Sequence, residues 1–105
     1  MTLQEFYKLE KYCGLKIKHG SGINIDYWFL YISIKDKNKR DITLFYKLDD
    51  SLDLLLKNTT IIDILDGLYD AYFSYKEYIH ISLDILNQIL NLIDNIQFYS
   101  RKEVL

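Results

Sequence analysis

The sequence predicts an α+β fold: an N-terminal helix, a three-stranded antiparallel meander, then two or three helices packed on it. Three observations carry that expectation. Apolar residues recur at helical spacing from Leu3 to Cys13, gather into β-branched and aromatic runs between Leu15 and Leu48, and return to a helical period after Asp49. At 105 residues, half of them hydrophobic, positions 1–105 read as one domain with ample material for a core.

The elements follow in order. Thr2 and Glu5 make a T-x-x-E capping box ahead of Leu3, Phe6, Leu9 and Cys13, and Gly14 stands where a helix stops, so a helix is expected over 3–13. Leu15–His19 alternates apolar with basic residues, and Gly20-Ser21-Gly22 reads as the turn that follows. Ile23–Lys35 contains Tyr27-Trp28-Phe29-Leu30-Tyr31-Ile32, apolar at every position, which is the pattern of a central strand covered on both sides. A charged loop over 36–41 leads to a returning strand, Ile42–Leu48.

Beyond it, Asp49-Asp50-Ser51 can cap a short helix ending at Lys57. Thr59-Thr60 with Asp63 can cap a longer one reaching Tyr78, and Ser82 a last one. Tyr78–Ser82 alternates, so a fourth short strand competes there with a helix junction; the junction is the favoured reading.

Cys13 is the single cysteine, which excludes an intrachain disulfide. Met1–Glu10 is polar and unlike a secretory leader. The densest apolar stretch, 27–34, falls far short of the roughly 20 residues that span a bilayer. The expectation is a cytoplasmic chain with no membrane partner. Abundant Ile, Tyr, Asp, Asn and Lys suit an A·T-rich genome such as that of a low-GC bacterium, its phage or a virus. The net charge of −2 hides a division. Residues 1–47 hold nine Lys/Arg and five Asp/Glu, a balance of +4, whereas 48–105 hold four and ten, a balance of −6.

Signatures of chemistry are weak. His19 and His80 have no histidine or cysteine partner within a turn, so no metal is expected, and no cofactor. Cys13 sits on the apolar face of the first helix, where a thiol acts as a small hydrophobe. His19-Gly20-Ser21-Gly22 lacks the spacing and the following helix of a phosphate loop. The chain is therefore read as a non-enzyme, with a site assembled across a homodimer as the remaining enzymatic route.

What remains is surface. On a helix over 60–78, Asp63, Asp66, Asp70 and Glu77 fall within about 60° of one another, with Tyr69 and Phe73 beside them as anchors. An open helix face does not desolvate a carboxylate, so acid–base chemistry is not expected of this stripe. Lys35, Lys37, Lys39 and Arg40 concentrate charge in the hairpin loop and are the candidate nucleic-acid contacts, with Asp36 and Asp41 partly cancelling them. The last helix carries two apolar stripes: Leu83, Leu86, Leu90 and Ile93, and beside them Ile85, Ile89, Leu92 and Ile96. Their combined arc of roughly 180° exceeds the 100° that one wall requires. The second stripe is the candidate self-interface of a homodimer, unless the helix is wedged within its own chain.

The function expected is a small protein-binding module, an inhibitor of phage or mobile-element type. It would dock its acidic helix face on a basic, nucleic-acid-handling protein. Anti-CRISPR proteins are analogues at the level of size and charge only. Nucleic-acid binding through loop 35–40 is the less favoured alternative, and an antitoxin or immunity protein is another.

Overall fold

Local chemistry at the element ends sets the architecture. In this computed structural model, which describes residues 1–23, 25–78 and 83–104, Thr2 Oγ1 accepts the Glu5 N–H at 3.1 Å and opens α1 (Leu3–Cys13). Gly14 closes α1 in the left-handed region, φ 69°, and its N–H donates to Glu10 O at 3.1 Å. Strands β1 (Lys16–Gly22), β2 (Ile25–Lys35) and β3 (Asp41–Asp49) follow, then α2 (Leu52–Lys57), α3 (Ile61–Lys76) and α4 (Leu83–Val104). Ser51 caps α2, and Thr60 caps α3 in a full capping box with Asp63. The protein is thus α+β, with an N-terminal helix, an antiparallel sheet ordered β1-β2-β3, and helices packed after it.

The first hairpin differs from the sequence expectation. Gly20, Ser21 and Gly22 are not the turn; they lie inside β1, opposite Tyr27, Asp26 and Ile25. Gly20 serves a different purpose, because a Cβ there would fall 2.1 Å from Tyr27 Cζ. The Tyr27 ring lies across the position a side chain would occupy. The β2–β3 ladder runs from Trp28↔Asp49 to Lys35↔Asp41, with an irregularity at Ile32/Ser33 that leaves both Leu44 and Phe45 buried.

All the covering helices lie on one side of the sheet. Leu30, Ile32 and Ile34 point into the core, with Trp28 packed at its margin. The opposite side, Tyr27, Phe29, Tyr31 and Ser33, is only half-buried, and its β3 neighbours Tyr46 and Leu48 are 64% and 59% exposed. The expectation that β2 is covered on both faces is therefore corrected. One sheet and one helix layer make a flat backbone of 43 × 41 × 20 Å, and neighbouring rings on the open side shield one another in place of a second layer.

Two contacts fix the helix layer. α3 approaches β3 at Gly67, where a Cβ would sit 2.5 Å from Phe45 Cδ2. α4 lies against both α3 and α1; Asn95 Nδ2 donates to Tyr12 O at 3.0 Å and Gln88 Nε2 to Lys35 O at 3.3 Å. Wedged in this way, α4 buries Ile85, Ile89, Ile93, Ile96 and Tyr99, with Leu92 partly covered. The candidate self-interface of Ile85, Ile89, Leu92 and Ile96 is consequently part of the chain's own core. Among the described residues of α4, the exposed large apolar ones are Leu83, Leu90 and Phe98.

No described helix is long and apolar enough to cross a membrane. The junction expected over Tyr78–Ser82 lies outside the described residues after Tyr78, as do the Ser82 cap and His80.

Candidate functional site

The acidic stripe divides into one structural residue and three free ones. Asp63 Oδ2 accepts the Thr60 N–H at 2.9 Å and the Lys47 ammonium at 3.1 Å, while the Asp63 N–H donates to Thr60 Oγ1 at 3.1 Å. Lys47 also donates to Asn58 O, so it staples β3 to the α2–α3 junction. The Thr60 N–H, then Lys47, hold the Asp63 carboxyl below the usual carboxylate range. Asp63 is thus already engaged within the fold, unlike the rest of the stripe.

Asp66, Asp70 and Glu77 are exposed, and none has an ion pair among the described residues. Beside them run Ile62, 68% exposed, Phe73, 58%, and Tyr69, whose hydroxyl accepts from Gln97 Nε2 at 2.8 Å. At 100° per residue, Ile62, Tyr69 and Phe73 lie within about 40° of one another, and Asp66 is the next position around the helix. The outer face of α3 is therefore an apolar ridge with an acidic flank. Ile62 is the member that sequence reasoning missed.

The hairpin loop is largely self-satisfied. Asp36 Oδ1 accepts the N–H groups of Asn38 and Arg40 at 2.8 and 2.9 Å, and Oδ2 accepts Arg40 Nε at 2.9 Å. Chiefly through the Arg40 N–H, these bonds lower the pKa of Asp36. Lys35 pairs with Asp41 at 2.9 Å. Of the four expected nucleic-acid contacts, Lys35 and Arg40 are thus occupied within the loop, which leaves Lys37 and Lys39 as its free cations among the described residues.

The open side of the sheet is a surface that sequence reasoning did not single out. The ladder sets Lys16 opposite Tyr31, Lys18 opposite Phe29 and Gly20 opposite Tyr27; on the far side Tyr46 stands opposite Tyr31 and Leu48 opposite Phe29. The Phe29 ring lies 5.2 Å from Tyr31, stacked at 28°, and 5.6 Å from Tyr46. Two shallow concavities of about 420 and 340 Å³ open here, the first lined by Lys18, Tyr27, Phe29 and Leu48, the second running along Lys16, Lys18, Tyr31 and Lys35. Its signal was present as alternation within β2, where Tyr27, Phe29 and Tyr31 are aromatic while Leu30, Ile32 and Ile34 are aliphatic.

Cys13 is buried and its thiol donates to Leu9 O at 3.1 Å; burial pushes its pKa up to about 11. His19 lies beside Trp28, with Nε2 3.9 Å from Asp26. Among the described residues no three His, Cys, Asp or Glu converge as metal ligands would. No protein-family model, curated protein or solved structure matches the chain.

Proposed function

We propose that this chain is a small non-enzymatic protein-binding module that sets the outer face of α3 against a basic, nucleic-acid-handling protein, in the manner of an inhibitor. One observation carries the reading: exposed Asp66 and Asp70, with Glu77 at the C-cap and none of the three in an ion pair among the described residues, flank an exposed apolar ridge of Ile62, Tyr69 and Phe73 on α3. Protein interfaces join an apolar, aromatic centre to a charged rim in this way, the centre supplying affinity and the rim supplying register and association rate. The helix is held by a complete N-terminal box and by packing on β3 and α4, so little ordering remains to oppose binding.

Asp66→Lys/Asp70→Lys tests the proposal. Both residues are exposed and have no side-chain hydrogen bond or ion pair among the described residues, so the fold should change in stability by no more than about 0.5 kcal/mol per substitution. In affinity capture from a host lysate, the wild-type chain should retain a basic protein that the double variant loses. Equal retention by both baits refutes the reading.

A further inference from the structure

A second surface of different chemistry lies on the far side of the molecule. The open face of the sheet is aromatic at its centre (Phe29, Tyr31, Tyr46, with Tyr27 folded over Gly20) and cationic along β1, where Lys16 and Lys18 are exposed. Neither lysine has an acid partner among the described residues, whereas Lys35 at the end of the face is paired with Asp41. Rings in the middle and a line of free ammonium groups alongside meet both requirements of a single-stranded nucleic acid. Bases stack on aromatic side chains without regard to sequence, and the backbone follows the charge. Side chains two apart on a strand are spaced about 6.8 Å, far enough for Lys16 and Lys18 to meet two separate phosphates of one strand. A duplex hides its bases and offers nothing to the rings.

We infer that the open sheet face binds single-stranded nucleic acid, with Lys16 and Lys18 on the phosphates and Phe29, Tyr31 and Tyr46 beneath the bases. A second copy of this chain is disfavoured on charge: among the described residues, this face exposes Tyr46 and Leu48 but no unpaired acid that would complement the copy's lysines. This site is independent of the α3 face, which lies across the helix layer. It also differs from the hairpin loop, whose Arg40 is held by Asp36.

The test is fluorescence anisotropy with labelled dT12, dA12 and a duplex of equal length. The two homopolymers should bind alike and better than the duplex. Two phosphate contacts give a salt slope near −1.4, so affinity for dT12 should fall about 7-fold between 50 and 200 mM salt. Lys16→Gln/Lys18→Gln should remove most of that dependence. Tyr31→Ala and Tyr46→Ala should each weaken binding by about 5-fold or more at constant slope. Circular dichroism should match wild type for every variant, and so should the urea midpoint of Lys16→Gln/Lys18→Gln, whose side chains are exposed; the two tyrosine changes, which remove rings packed on Phe29, should lower the midpoint while leaving the chain folded under the assay conditions. Any of four results would overturn the inference: no binding at 50 mM salt; equal binding of the duplex; loss with Lys37→Gln/Lys39→Gln rather than with the β1 pair; or a dimer in solution that Tyr31→Asp dissociates, which would assign the face to a second copy. None of these outcomes bears on capture through Asp66 and Asp70, so the two readings fail separately.

Discussion

Alanine in place of a helix-interior glycine ordinarily stabilises a protein by about 1 kcal/mol, because glycine loses the most backbone freedom on folding. Gly67→Ala should do the opposite. The new Cβ would fall 2.5 Å from Phe45 Cδ2 and 3.3 Å from Cγ and Cε2, in the layer where α3 meets β3. Phe45 is 9% exposed and belongs to the main core cluster, so its ring cannot swing into solvent without uncovering apolar area. Overpacking of this kind costs about 1–3 kcal/mol. Offset by the gain in helix propensity, the net change is a loss of about 1 kcal/mol. Urea unfolding followed by circular dichroism measures it as a lower midpoint at unchanged m. Ser74→Ala, on the exposed side of the same helix, supplies the comparison and should be neutral or slightly stabilising. Phe45→Leu combined with Gly67→Ala should recover part of the loss, a coupling above about 0.5 kcal/mol. If Gly67→Ala is instead stabilised like an ordinary helix position, α3 does not approach β3 as closely as 2.5 Å implies, and the packing that aims the acidic face outward is wrong.

Three further outcomes are expected. Asp63→Ala should cost about 1 kcal/mol at neutral pH through loss of the α3 cap. Because the folded pKa of Asp63 is lowered, that contribution is present above the ordinary carboxylate pKa and lost as pH falls through the folded value, so variant and wild-type stabilities should converge below about pH 4. Ile89→Ala should lower stability by about 2–5 kcal/mol with no change in mass by light scattering, since the side chain is fully buried within the chain; a change in mass alone would restore the self-interface on α4. Cys13, raised to about 11 and buried, should react with a thiol reagent at pH 8 only in denaturant, and prompt labelling of the native chain would contradict its placement.

What the sequence made legible were features with a local cause. Caps and periodicity are written within a few residues, so Thr2, Gly14, Ser51 and the Thr60–Asp63 box gave element boundaries close to those found. Features with a non-local cause were not legible. Whether β2 is covered once or twice depends on which side the helices choose, and an aromatic face shielded by its own rings reads like a buried one. Gly20 looked like a turn because the ring that requires it, Tyr27, lies across the hairpin on the next strand. The four carboxylates of α3 share a stripe by angle, yet Lys47 takes Asp63 from a strand that periodicity cannot place. On α4, two apolar stripes implied a spare surface, but α4 packs against both α3 and α1, which periodicity along one helix cannot show.

Part of the division of charge along the chain becomes a division across it. Among the described residues, Lys16 and Lys18 lie unpaired on the open sheet face, whereas Asp66 and Asp70 lie unpaired on α3, in the helix layer. The backbone is 20 Å thick, which exceeds the Debye length of about 8 Å at physiological ionic strength. The acids on one side therefore do little to repel a polyanion on the other, and an overall charge of −2 does not argue against phosphate binding at the sheet. Nor do the lysines screen Asp66 and Asp70 from a basic partner. The two proposed contacts, single-stranded nucleic acid on the sheet face and a basic protein on α3, therefore use separate surfaces and need not exclude each other.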